Sequence, residues 1–311
     1  MNTIHLRTFI VATTLVCTIV GCSNTRAPVA SQSKSDSRPT SVPNYLKIQH
    51  EQALTEAIKK EKAATSNSAR ASAMQQQAAA LDSLGRSQEA LVVIDQAMTL
   101  VDPSRQGAWI ATKAEILYSL GDPQAALKTL DPEIARTREF AASKPPNERA
   151  AALGIFTDGF IAATFANIEL QRWQEAVNDL ADANALLEGP SFYAYRSLVY
   201  RYIMARANDT SIANAELDKQ AQYYASHDQT QYGPLLRMWQ GQDSVHDVAV
   251  VIGKMRGADQ QEAFGEALFY GGAYAKFVRH NSNGGLAMLQ QLNQLAPYGS
   301  IEWIHGKRVL Q

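Results

Sequence analysis

The sequence predicts an all-α protein built from consecutive helical hairpins. Alanine is abundant, apolar residues recur at helical spacing, and no long alternating β-branched run marks a strand. Gly and Pro fall at intervals, as connections between short helices require. The deciding observation is self-similarity. Ser83-Leu84-Gly85-Arg86-Ser87-Gln88-Glu89-Ala90 returns as Ser119-Leu120-Gly121-Asp122-Pro123-Gln124-Ala125-Ala126, which places the two glycines 36 residues apart.

Ahead of the helices lies a targeting pattern. Arg7 precedes an apolar run from Thr8 to Val20, too short to cross a bilayer as a helix. Ile19-Val20-Gly21-Cys22 then resembles the lipobox of bacterial lipoproteins. That resemblance implies a signal peptide over 1–21, cleavage after Gly21 and lipidation of Cys22, whose acyl chains enter the bilayer. Ser23 is similar to the residue that addresses such proteins to the outer membrane, so the implied location is its periplasmic face. Residues 23–43 are rich in Ser, Pro, Thr and Ala. They bury too little surface to offset ordering entropy, and 22–43 reads as a lipidated cysteine on a flexible tether.

Composition narrows the function classes. Lys plus Arg total 29 against 30 Asp plus Glu, so no broad basic face recruits nucleic acid. Cys17 leaves with the signal and Cys22 is consumed by lipid. The mature chain is therefore expected to have no disulfide, no thiolate nucleophile and no cysteine-ligated metal.

Residues 44–68 are expected to form an N-terminal helix, with Tyr45, Leu46, Ile48, Leu54 and Ile58 interrupted by Lys59-Lys60-Glu61-Lys62. Such a helix must cover the open end of the first hairpin, in its own subunit or in the partner of a homodimer. Hairpins fill 69–190. Gly85 and Gly121 suit the left-handed turn that closes a first helix. Ala90 and Ala126 are small where the second helix approaches the first, and Ile94 and Leu130 lie four residues on, on the same face. Leu170-Gln171-Arg172-Trp173-Gln174-Glu175-Ala176, followed by Leu180, is a third copy with Gln171 in the glycine's place. Pro103, Pro132 and Pro190 are expected to stop a second helix or start the next unit. These positions resemble the tetratricopeptide-repeat family, which implies a helical-hairpin solenoid.

Units two and three are 50 residues apart, and the excess, 133–153, reads as an overlong helix, a turn at Lys144-Pro145-Pro146-Asn147 and an extended next helix. Residues 191–311 continue as helical hairpins, with Phe192, Tyr193, Tyr195, Tyr200 and Tyr202 on the first. Tyr232-Gly233-Pro234-Leu235, Trp239-Gln240-Gly241, the run Glu266 to Tyr274 and a closing helix capped by Ser300 follow in order. This order resembles the NlpI-like family of outer-membrane lipoproteins built of tetratricopeptide-like repeats. The resemblance implies an adaptor for periplasmic or envelope proteins, with pairing through N-terminal helices.

No catalytic constellation stands out. His50, His227, His246, His280 and His305 lack zinc-helix spacing, Gly271-Gly272 reads as close helix packing, and no cofactor is implied. In the repeat register, first-helix residues line a concave groove: Gln75, Asp82 and Ser83; Ala111, Glu115 and Tyr118; Asp158, Ile161, Phe165, Ile168 and Glu169. Apolar surface rimmed by carboxylates suits a peptide carrying positive charge. Two functions fit such a groove: a protein-binding scaffold, or an immunity lipoprotein that neutralises a periplasmic toxin or hydrolase. The competing assignment for Ile161, Phe165 and Ile168 is plain core.

Overall fold

The computed structural model describes residues 43–185 and 189–311, so Cys22, the signal-like segment 1–21 and the tether up to residue 42 lie outside the described residues. Every regular element among the described residues is a helix, and 44–311 form one compact unit. In order these are α1 (Tyr45–Ala63), α2 (Asn67–Ser83), α3 (Ser87–Met98), α4 (Gly107–Ser119), α5 (Pro123–Ala142), α6 (Arg149–Leu153), α7 (Thr157–Glu169) and α8 (Trp173–Asp182). Then follow α9 (Pro190–Ala207), α10 (Ala215–His227), α11 (Tyr232–Trp239), α12 (Val245–Gly253), α13 (Gly257–Ala273), α14 (Ser282–Leu295) and α15 (Ile301–Val309).

Three hairpins, α2/α3, α4/α5 and α7/α8, turn by the same device. Gly85, Gly121 and Gln171 have φ of +76°, +87° and +58°. Arg86 N–H donates to the Leu81 carbonyl at 2.9 Å, Asp122 N–H to Leu117 at 3.0 Å, and Arg172 N–H to Asn167 at 2.9 Å. Each is the six-to-one bond that satisfies a helix's last carbonyls. Five residues past each turn stands a fully buried alanine, Ala90, Ala126 or Ala176, and four further on a fully buried Ile94, Leu130 or Leu180. Gln171 adopts the glycine conformation without glycine's freedom, because the arginine bond and the helix packing fix it.

Pro132 corrects the reading of the second unit. It lies inside α5 rather than ending it, and α5 runs on to Ala142 because Leu130, Ile134 and Ala141 continue one buried face. Pro190 does open α9, and Pro103 opens a short 3-10 turn. The stretch Arg149–Glu169 is long and apolar enough to cross a membrane, yet most of it is buried in the core.

The two ends of the compact unit meet. α1 packs on α2 within its own chain and also reaches α13. Asn44 Nδ2 donates to the Ala296 carbonyl at 2.8 Å, Leu46 N–H donates to Gln261 Oε1 at 3.1 Å, and His50 Nε2 lies 3.0 Å from the Tyr298 carbonyl. Gly272 lets α13 and α14 touch: a Cβ there would stand 3.0 Å from Met288 Cβ and from Leu310 Cδ1.

Two substitutions check this packing. Ala126→Leu should cost about 1–3 kcal/mol by overpacking the α4/α5 contact. Gln171→Gly should instead stabilise by about 0.5–1 kcal/mol, since relief of left-handed strain exceeds the entropy that glycine adds to the unfolded chain. Thermal melts of both variants against the parent read the two signs.

Candidate functional site

The faces of α4 and α7 that were expected to line an open groove are covered by the chain's own last helix. α15 packs on α13 and α14, and its side chains reach across to α4, α7 and α9. Three residues spaced three apart, Glu302, His305 and Arg308, make its polar contacts to α4, α7 and α9. On a helix that spacing keeps them along one side.

His305 is fully buried. Tyr118 Oη lies 2.6 Å from its Nδ1 and Tyr202 Oη lies 2.8 Å from its Nε2. The hydrogen bonds around them assign the protons. Arg206 Nη1 donates to Tyr202 Oη at 3.2 Å, leaving that hydroxyl its own proton to give to Nε2. Nδ1 therefore carries the ring proton and donates to Tyr118 Oη, and the Tyr118 hydroxyl in turn donates a hydrogen bond to the Glu169 carboxylate. The relay ends in an ion pair, Arg308 Nη1 to Glu169 Oε2 at 2.8 Å. Arg308 Nη2 also donates to the Tyr118 carbonyl at 2.7 Å and to that of Ser119 at 3.3 Å, closing the C-terminal end of α4. The rings of Phe165 and Phe269 stand edge-on to the imidazole, with centroids 5.6 and 5.8 Å away.

Electrostatics follow from burial. Desolvation pushes the His305 imidazole below its ordinary value, against the pull of Glu169, and the nearby Arg206 and Arg308 guanidinium groups push the same way. Burial pushes the Glu169 carboxyl up, but bonds from His305 and Arg308 outweigh it and hold it at about 2. Burial raises the Tyr118 and Tyr202 hydroxyls well above the usual phenol range, so both stay neutral.

One turn earlier, Glu302 is equally enclosed. Tyr195 Oη donates to its Oε1 at 2.9 Å and Ser300 Oγ to its Oε2 at 3.0 Å, while Ser300 also caps α15. Nearby Glu266, on α13, accepts from Tyr232 Oη at 2.9 Å and Gln231 Nε2 at 2.7 Å. Lys276 Nζ donates to the Val309 carbonyl at 3.0 Å, at the far end of the helix.

The sequence-expected groove residues therefore separate. Tyr118, Phe165 and Ile168 are buried, and Ala111 with them, so they do not form an open binding surface: α15 and the helices around it complete the core there. Glu169 is taken by Arg308. Gln75 donates to the Ala108 carbonyl and to Thr112 Oγ1, each at 3.1 Å, and Asp82 accepts from Ser119 Oγ at 2.9 Å; both tie α2 to α4. Asp158 and Ile161 are half-buried, and Glu115 is exposed.

Glu302, His305, Arg308 and Tyr202 were not foreseen as a cluster. Their only sequence signal is the three-residue spacing, which an ordinary solvated helix face also shows. Chemically the relay orders protons within the fold, with no solvent-accessible face on His305 for a substrate. Among the described residues, no group of three or more His, Cys, Asp or Glu is placed to hold a metal ion. The surface carries shallow, open depressions, one lined by Arg201, Glu216, Asp218 and Lys219 and another by Asn208, Lys276, Phe277 and His280. No protein-family model matches the chain, and no curated protein matches it.

Two measurements follow from this geometry. Phe165→Ala should cost about 3–5 kcal/mol in a denaturant titration, because it empties core rather than trimming a surface. Glu169 adds stability in full above its ordinary value of 4.5, and that stability drains away as pH falls toward 2. The loss is on the order of 2–3 kcal/mol, and Glu169→Gln should flatten the acid limb of the stability profile.

Proposed function

We propose that this chain is a lipid-anchored envelope protein, an NlpI-like tetratricopeptide lipoprotein that serves as a scaffold or adaptor for other envelope proteins. The observation that carries this reading is the turn shared by three hairpins. A left-handed residue, a six-to-one bond and a buried alanine five residues on recur at 85, 121 and 171. Repeats of this kind stack into an array whose surface is far larger than its core needs, which suits protein binding more than chemistry. The Ile19-Val20-Gly21-Cys22 pattern supplies the anchor and Ser23 the outer-membrane address.

With α15 over the inner face, partners meet the outside of the array. Phe140 and Ile155, 44% and 54% exposed, flank the connection after α5, where the chain departs from repeat length. Lys144 stands over the Phe140 ring at 4.4 Å and adds a positive rim. Aromatic side chains such as Phe140 are enriched where proteins meet. A homodimer through the outward side of α1, at Tyr45 and Ile48, is part of the same reading.

Photocrosslinking in cells tests it. A photoreactive residue at 140 or 155 should yield discrete adducts with envelope proteins, and one at the exposed Glu115 position should yield fewer. An absence of adducts at both sites would reject this docking surface. A captured toxin or hydrolase that loses activity on binding would make the chain an inhibitor instead. Separately, Cys22→Ala should abolish labelling by a palmitate analogue and leave uncleaved precursor; undiminished label would reject the anchor.

A further inference from the structure

We propose that α15 is an acid-released latch over the face formed by α4, α7 and α9. The inference stands whether or not the adaptor reading holds, because its readout is the helix itself.

The geometry singles out one proton. His305 accepts at Nε2 from Tyr202 and donates from Nδ1 toward Tyr118 and Glu169. A second ring proton would replace the acceptor at Nε2 with a donor. Tyr202 would then have to turn its own proton away while its oxygen already receives Arg206, inside a site closed to water. Such a buried donor without an acceptor is costly.

Charge adds to this. α4 presents the neutral Tyr118 hydroxyl to His305, α7 the Glu169 carboxylate, and α9 the Tyr202 hydroxyl and the Arg206 guanidinium. α13 offers the ring of Phe269, and α15 itself carries Arg308. An imidazolium would thus sit among two guanidinium groups with one carboxylate, and Glu169 is already engaged by Arg308. The folded latch therefore resists the proton that a released α15 accepts freely below about 6.5.

The connection into α15 turns through two left-handed residues. Ala296 and Gly299 both have positive φ, +46° and +84°, and Pro297 lies between them. This loop is held from outside by His50, through the Tyr298 carbonyl. Burial also depresses the His50 imidazole, so acidification loosens the loop as well as the helix. Away from α15 the sign reverses. Asp179 on α8 is pushed up to about 6 by burial, against the pull of Arg138, so it takes its proton in the folded state. Acidification from pH 6 toward 3.8 therefore favours the fold around α8 while it opens α15.

Linkage sets the size of the effect. Release takes up one proton at His305, so opening becomes about tenfold easier per pH unit below 6.5, until the buried ring itself protonates. Hydrogen–deuterium exchange of the full chain between pH 7.5 and 5 measures it, with labelling times scaled for intrinsic exchange chemistry. Peptides covering 301–309 should lose protection by tenfold or more, while those covering α2 and α3 hold theirs. His305→Gln keeps one donor and one acceptor for the two tyrosines, and should lose one factor of ten per pH unit from that dependence. Uniform loss across the chain, or no loss at α15, would overturn the latch without any variant. A His305→Gln protein that folds and keeps the parent's full pH dependence would overturn the assignment to His305.

Discussion

The neutral imidazole of His305, closed between two tyrosine hydroxyls, is the contact on which the arrangement of this protein depends. It joins three helices that are distant in sequence: Tyr118 lies 187 residues before it and Tyr202 lies 103. The ring offers one donor and one acceptor, and with both taken α15 sits in the rotation observed. That rotation carries Arg308 to the end of α4 and Glu302 to Tyr195. Phe165, whose ring stands edge-on to the imidazole, lies in the core beneath it.

A buried polar chain of this kind stabilises little beyond what an apolar filling would give, since each hydrogen bond replaces one made to water. Its consequence is specificity. The relay from Arg206 to Arg308 pairs each polar group with one partner in the register observed. Together with α1, which bonds to the loop before α15, it joins the first helix of the array to its last.

The local rules of this fold were legible in the sequence. Gly85 and Gly121 mark turns, Ala90, Ala126 and Ala176 mark close helix contacts, and Ser300 caps α15 as its position implied. Gln171 makes the same turn with no glycine to announce it, because the conformation is imposed by its neighbours' bonds rather than chosen by the residue. Pro132 misleads for a related reason: apolar burial on both sides of it continues the helix past the proline. The groove reading took as open surface the faces of α4 and α7 on which Tyr118 and Phe165 are buried. Nothing local to Tyr118 or Phe165 shows that a helix more than a hundred residues away will lie on them. The spacing of Glu302, His305 and Arg308 becomes meaningful only once the tyrosines from α4 and α9 are beside it.

The state of one ring tests this account most directly. Nitrogen-15 NMR of the His305 side chain at neutral pH distinguishes the two neutral tautomers from the imidazolium. The structure requires a neutral ring protonated at Nδ1, with both nitrogens shifted by hydrogen bonding and the ring proton slow to exchange. An imidazolium, or a ring proton in fast exchange with solvent, would contradict it and leave α15 without its anchor.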